Sequence, residues 1–480
     1  MRDLALRALD NASRKGASYA DVRVIERHAE SITVRNQNVE GLTAEESLGF
    51  GVRVIVDGYW GFAGSYQMTL EEADRVAAQA VAIAKASARA GGPRANIGQP
   101  EVHVDSYSTP VMIDPFAVSL DDKIALLLRA NEAMMKVKNI VTTDSNVYYQ
   151  REKKTFASSE GSFIEQNLME TGCGIEATAV DEGEVQQRSY PNSVGRHQGT
   201  EGWEFVERHN LVGNAPRVAE TASALLTAKP CPVGVTTIVL DGSQLALQVH
   251  ESCGHAVELD RVLGTEAAFA GTSFLTTEKL GDFRYGSEAV NLTADATIPG
   301  GLGTFGYDDE GVPAQCTPII SKGLFVGYLT SRETAATLGQ RSNGAMRADG
   351  FNRIPLIRMT NVSLEPGALS LADLVADTKD GIYMETNRSW SIDQRRLNFQ
   401  FGTELAYEIK NGKFGDMIKN ATYAGITPQF WGSCDAVCSR DHWVVWGTPN
   451  CGKGQPEQIA HTGHGAAPAR FRNVQVGIMK

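Results

Sequence analysis

A pattern of helix, antiparallel strands and helix runs twice through the first half of this chain and stops at Lys229-Pro230-Cys231-Pro232, where two prolines mark a domain boundary. In the first pass, residues 3–14 read as a helix and residues 19–26, 31–39, 48–56 and 59–64 as short strands of an antiparallel meander. Residues 70–90 close the unit as a helix that Thr69 caps and Gly91-Gly92-Pro93 ends. A polar, proline-containing connection follows to about residue 115. The second pass places a helix at residues 120–137, strands near residues 140–149, 154–159, 162–168 and 174–181, and a closing helix at residues 215–228. This doubled pattern predicts an α+β fold with helices packed on antiparallel meander sheets, not a doubly wound parallel sheet. At 480 residues the chain is too long for one ordinary core. The expected division is an N-terminal α+β region over 1–229, with possible sub-units at about 1–92 and 115–229, and a second unit over 234–480.

Beyond the junction, helical periodicity fades and glycine, threonine and turn signals take over. The second unit is therefore expected to be β-rich, with one helix at residues 370–378. Gly301-Leu302-Gly303-Thr304-Phe305-Gly306 has the letters of a dinucleotide-binding loop. Such a loop must open a helix, and this one runs into Tyr307-Asp308-Asp309-Glu310-Gly311-Val312-Pro313, which cannot continue as one, so it reads as a glycine-rich surface loop. Asp308, Asp309 and Glu310 lack calcium-loop spacing and read as a turn.

The segment His250-Glu251-Ser252-Cys253-Gly254-His255 carries the chemistry. It follows a predicted buried strand at residues 236–240, with Asp241 as N-cap and Leu245, Leu247 and Val249 anchoring the next turns to the core. Two neutral imidazoles hold Zn²⁺, and a glutamate beside the first takes a proton from water whose pKa the ion has lowered. In His-Glu-x-x-His the imidazoles stand about 40° apart around a helix, whereas i and i+5 stand about 140° apart. The spacing predicts either a widened, π-like turn or a helix that breaks at Gly254. The competing reading is a partly buried helix whose histidines, among the nine in the chain, fall into this string by accident.

Seven scattered cysteines argue for reduced thiols, each a possible metal ligand. Cys253 lies inside the motif but is offset from both histidines on a helix, and Cys434 and Cys438 sit among aromatic neighbours as packing thiols. A formal charge of −12 excludes a nucleic-acid groove as the main function. No export signal and no apolar run long enough to cross a bilayer are visible, so a cytoplasmic protein with no membrane partner is expected.

The motif at 250–255 resembles the His-Glu-x-x-x-His of the TldD/PmbA family of zinc peptidases. Gly49-Phe50-Gly51-Val52-Arg53-Val54 with Gly61-Phe62-Ala63 is similar to that family's N-terminal signature, and Asp309-Glu310-Gly311-Val312-Pro313 to its loop after the metal helix. Ser342-Asn343-Gly344, Arg358-Met359-Thr360-Asn361 and Pro366-Gly367 resemble its central C-terminal block, and Cys451-Gly452-Lys453-Gly454-Gln455 its terminal cysteine motif. The resemblance implies a TldD-type, metal-bearing subunit that acts as a homodimer or as a heterodimer with a PmbA-type subunit. It implies one zinc per chain held by His250, His255 and Cys451, with Glu251 as general base, and hydrolysis of peptides or unfolded protein segments in an enclosed cavity. Two imidazoles and a thiolate would leave the ion a fourth position for water, as in catalytic sites. Tyr307, Arg358 and His464 are the candidates for contacting substrate or its oxyanion, and His461 and His464 for orienting substrate or competing as ligands. Glu258 reads as a solvated side chain. Two other functions fit the same motif: a metal-dependent amidohydrolase of a small molecule, and a non-enzymatic scaffold with a structural zinc.

Overall fold

The computed structural model describes residues 1–193 and 196–479, so the last residue of the expected second unit, 480, lies outside it. The fold is α+β, and its first half is built on one eight-stranded sheet. In chain order the strands are β1 (Tyr19–Arg35), β2 (Asn38–Val56), β3 (Tyr59–Ser65), β4 (Val104–Ser108), β5 (Ile140–Ser158), β6 (Phe163–Asp181), β7 (Glu184–Tyr190) and β8 (His197–Gly199). They lie in the order β3-β2-β1-β5-β6-β4, with β7 and β8 both on β6. All pairs are antiparallel except β4 with β6. Because β1 pairs with β5, the two helix-strand-helix passes share a single sheet.

Four of these strands replace seven of the eight short ones expected from the sequence, and the eighth, 59–64, is β3. β1 and β2 run on past residues 26 and 48, and β5 and β6 run on past residues 149 and 168. The outer part of the first hairpin leaves the core, so residues 38–48 of β2 are largely exposed and the apolar alternation lapses there. The backbone ladder does not need that alternation, and Glu30 still pairs with Ala44 on one side and Tyr149 on the other. The hairpin turns at Asn36 and Gln37, both at positive φ (46° and 64°). Such a two-residue turn usually announces itself as Asn-Gly, and here glycine is missing, so its signal is weak.

Alternation sorts the two faces of the sheet. Ala20, Val22, Val24, Val52 and Val54 pack under the helices Arg2–Arg14 and Leu70–Ala90, and Ile32, Val34 and Val147 under Leu120–Met135 and Leu211–Leu225. The last helix starts at Leu211, capped by the Asn210 side chain, and not at residue 215. On the opposite face Arg23, Arg53 and Lys154 are buried against the C-terminal half. Arg53 pairs with Asp21 (2.7 Å) and Glu310 (3.2 Å), and Lys154 (2.8 Å) and Arg23 (3.7 Å) reach Asp309. The turn 308–310 is thus an internal charged contact that no spacing in the sequence reveals. Removing these ions from water offsets much of their attraction, so the contact adds little net stability. Gly51 serves the same contact: a Cβ there would stand 2.2 Å from the Phe351 carbonyl oxygen.

The C-terminal half is β-rich. Strands Asp380–Ile392, Gly234–Leu240, Ala469–Ile478, Ala421–Ile426 and Asn398–Lys410 pair in that order, and the last pairs back to the first, closing a five-stranded barrel. Phe399, Phe401, Tyr423, Phe430 and Phe471 stack as one aromatic cluster in its core. A hairpin of Val444–Lys453 and Gln458–Ala466 lies outside the barrel. The helix expected at 370–378 is Leu371–Ala376, capped by Ser370. Helices Leu259–Val262, Arg332–Thr337 and Thr427–Gly432 were not expected, since six residues or fewer are too short to show a helical period. Gly301 to Gly306 open no helix. Among the described residues no helix is long and apolar enough to cross a membrane.

Candidate metal centre

Strand Gly234–Leu240 delivers the chain to Asp241, whose carboxylate accepts from the Ser243 backbone N–H (2.9 Å) and starts the helix Gly242–Val249. Leu245 and Val249 face the core, and Gln244 and Gln248 bond the Tyr423 hydroxyl within the barrel (2.9 and 3.0 Å). From His250 to Gly254 the helix widens into a π-turn, in which His255 donates its backbone N–H to the His250 carbonyl. Of the two geometries the i,i+5 spacing allows, this is the π-like one, and it returns residue 255 over residue 250. The two imidazole centroids stand 4.9 Å apart. Ser252 holds the turn by donating to the Gln248 carbonyl (2.5 Å) and accepting from Trp431 Nε1 (2.9 Å). Gly254 is required by packing, because a Cβ there would lie 2.1 Å from Met359 Sδ.

Cys451 comes from the outer hairpin. The buried Arg358 guanidinium donates to the carbonyls of Cys451 and, at 3.0 Å, Gln458, so it holds both strands of that hairpin in place. Cys451 Sγ stands 3.6 Å from His255 Nε2, and one ligand atom from each of His250, His255 and Cys451 lies within 4.8 Å of the others. Zinc at about 2.0–2.1 Å from nitrogen and about 2.3 Å from sulfur, with tetrahedral angles, sets those two atoms about 3.6 Å apart. The donor set and this spacing fit zinc. Burial alone would push the Cys451 thiol up, but it is held below its ordinary value, with the Arg358 cation among the charges that oppose burial. Burial pushes Cys253 up to about 12, and it stands outside the ligand cluster.

Hydrogen bonds behind the imidazoles decide which nitrogen faces the cluster. His464 Nδ1 lies 2.9 Å from the Val362 carbonyl, which can only accept, so that nitrogen carries the proton and Nε2 accepts. His464 Nε2 is 2.7 Å from His250 Nδ1, which must then donate, leaving the His250 Nε2 lone pair free. His255 Nδ1 likewise donates to Glu258 Oε2 (2.9 Å), freeing its own Nε2. Burial holds all three imidazoles below their usual range, and so in the neutral form a metal requires. Glu258 is thus not solvated. It is fully buried, orients His255, and lies 3.4 Å from Lys453 Nζ, which also donates to Asp260 (2.7 Å) and the Ile357 carbonyl (2.8 Å). Lys453 therefore joins the strand bearing Cys451 to the helix bearing His255. Partners of this kind tune metal affinity. Glu258→Ala and Lys453→Met are each expected to weaken zinc binding by about 10–100-fold in chelator competition, and unchanged affinity in both would remove this role.

The cluster lies in a cleft of about 510 Å³, whose walls include Glu251, Asn387, Trp390, Ile392 and Arg396. Arg396 Nη1 donates to Glu251 Oε2 at 2.5 Å. Nothing in Asp393-Gln394-Arg395-Arg396 distinguishes this arginine from any polar turn residue, so no sequence signal marks it. The three residues expected to contact substrate lie elsewhere: His464 behind His250, Arg358 behind Cys451, and Tyr307 in a separate pocket of about 90 Å³, its hydroxyl donating to Asp105 (2.6 Å). His461 lines that second pocket and bonds Glu170 (2.5 Å).

Comparison with known proteins is consistent along the chain. The model for the PmbA/TldA metallopeptidase C-terminal domain matches residues 233–477, that for domain 1 residues 20–84, and that for the central domain residues 113–229. A metalloprotease of Methanocaldococcus jannaschii is 32% identical over 87% of this chain and 89% of its own length. A zinc metalloprotease TldD homolog of Saccharolobus solfataricus is 24% identical over 95% of this chain and 96% of its own. A Thermotoga maritima protein, described as a candidate modulator of a DNA gyrase, shares the fold with a TM-score of 0.79 at 18% identity, covering 99% of this chain and 100% of that one.

Proposed function

This chain belongs to the PmbA/TldD metallopeptidase family, and from that premise we propose that it is a zinc-dependent peptidase in which His250, His255 and Cys451 hold one zinc and Glu251 is the general base. The observation that carries the reading is the convergence of three free donor atoms on the floor of a cleft that Glu251 also lines. When bound, zinc would supply Lewis acidity to water and to a peptide carbonyl. Glu251 takes one proton from the attacking water as the new C–O bond forms and the carbonyl π pair moves onto oxygen. The same carboxyl then gives that proton to the amide nitrogen as the C–N bond breaks, releasing a carboxylic acid and an amine, and the acid's remaining proton passes to the amine to leave a carboxylate and an ammonium. Glu258 and His464 act through the imidazoles, fixing their orientation and tautomer. The name of the Saccharolobus relative supports zinc as the metal.

The cleft wall formed by Trp390 and Ile392 is apolar and partly exposed, which suits extended peptides or unfolded segments. The cavity is enclosed, on this proposal, by a second subunit, either another copy or a PmbA-type partner, in the cytoplasm. The test is hydrolysis of a library of unstructured peptides, alone and with a PmbA-type subunit, followed by mass spectrometry. Cleavage is expected to vanish on chelation and return with zinc. No cleavage by zinc-loaded protein in either form would overturn the reading.

A further inference from the structure

Peptide hydrolysis develops a negative charge on the former carbonyl oxygen, and a donor must wait where that charge appears. The three residues proposed from sequence do not line the cleft. Two cations do, Arg196 and Arg396, and of these Arg396 is bonded to the base. We propose that Arg396 is a catalytic residue that stabilises the tetrahedral oxyanion with the guanidinium nitrogens Glu251 leaves unused; this rests on the peptidase reading above.

Arg396 reaches Glu251 with Nη1, and its Nε is buried without a hydrogen-bond partner. The side chain is 15% exposed, on the wall of the same cleft as the ligand cluster. A guanidinium is a rigid fork of five N–H donors, so the nitrogen bound to Glu251 leaves others for a second anionic group. In a site shielded from water such a donor is worth far more than on a surface.

The backbone beneath it is held unusually firmly. Arg396 lies in the turn between the barrel strands Asp380–Ile392 and Asn398–Lys410, in the left-handed region at φ 64°. A long side chain seldom adopts that conformation, and it persists where surrounding contacts over-determine it, most often at functional sites. Those contacts are present. The Asp393 carboxylate accepts from the backbone N–H groups of Arg395, Leu397 and Asn398 (3.0, 2.9 and 3.0 Å). Arg396 donates its N–H to the Asp393 carbonyl (2.9 Å) and accepts from the Thr427 hydroxyl (2.8 Å). Phe274 N–H and Arg261 fasten the carbonyls of Arg395 and Gln394 (3.0 and 2.8 Å). The turn thus aims one charged fork into the cleft with little freedom to reorganise, the condition under which an oxyanion donor is most effective. The neighbouring Arg395 is exposed and is not among the residues lining the cleft.

The test compares zinc-loaded wild type, Arg396→Ala, Arg396→Lys, Arg395→Ala and Glu251→Gln in peptide hydrolysis, and measures binding of a phosphinic peptide, a stable tetrahedral anion, against an uncleaved peptide of the same sequence. Arg396→Ala is expected to keep its zinc and a KM within about threefold, to lose about 10²–10³-fold in kcat, and to lose phosphinic-peptide affinity by a similar factor. Arg396→Lys should recover part of both, and Arg395→Ala should match wild type. A kcat within threefold of wild type in Arg396→Ala, or a loss confined to KM or to zinc content, overturns the inference. If wild type cleaves nothing, the peptidase reading fails. The phosphinic-peptide arm still decides the role of Arg396, because equal affinity in wild type and Arg396→Ala, or no binding to wild type, refutes it.

Discussion

Glu251→Gln is expected to lower kcat by roughly 10²–10⁴-fold while the protein keeps its zinc, the loss that follows removal of a general base. Glutamine has nearly the same shape and retains an oxygen able to accept from Arg396, so the pairing at 2.5 Å has a substitute and the π-turn is not disturbed. What disappears is a group that can take a proton from water and return it to the leaving nitrogen. The measurement is steady-state hydrolysis of a peptide found to be cleaved by wild type, alongside zinc content and a thermal melt. Turnover at the wild-type rate would contradict the assigned role, and loss of zinc would make Glu251 part of the metal's support instead. Glu258→Gln is unsuitable as a neutral control, because Glu258 carries the hydrogen bond that orients His255.

Cys451→Ala is the second large effect. Removing one of three ligands should weaken zinc binding by well beyond the roughly 10–100-fold expected when a residue behind a ligand is lost. Cys253→Ala, Cys434→Ala and Cys438→Ala should remain loaded. Burial pushes those thiols up to about 12, about 12 and about 11, so none offers a thiolate near neutrality. Cys451 differs because the Arg358 cation faces it. Elemental analysis and chelator competition would rank the four variants, and the reverse ranking would refute the coordination. A melt should show Cys451→Ala still folded, since the change removes one sulfur from a large core cluster whose barrel aromatics Phe399, Phe401, Tyr423 and Phe471 stay in place. Global unfolding on metal loss would point to a structural ion.

Local signals were the legible ones. Thr69 and Asp241 each cap a helix as their side chains predict, because a cap depends on a bond two or three residues away. The His250 to His255 spacing likewise predicted either a widened turn or a break at Gly254, since helix geometry alone forbids a regular turn, and the widened turn is the one found. The signals failed where a ladder replaced alternation. β1 and β2 continue through their exposed outer halves because backbone hydrogen bonds carry them there, and the hairpin turn lacks its usual glycine.

By itself, the sequence determined the α+β class, the doubled helix-strand-helix pattern, and a site with two imidazoles and a carboxylate in six residues. These follow from periods and bonds that close within a few positions of the chain. Tertiary structure alone decided which groups serve that site. Arg396 meets Glu251 across 145 positions, Cys451 meets His255 across 196, and His464 meets His250 across 214. Glu258 is close to His255 in sequence, yet its role too depends on burial that the whole fold imposes. The physical reason is that hydrogen-bond partners, ion pairs and depth from solvent are properties of packed surfaces, and an isolated arginine in a polar turn has the same letters whether it meets water or a carboxylate.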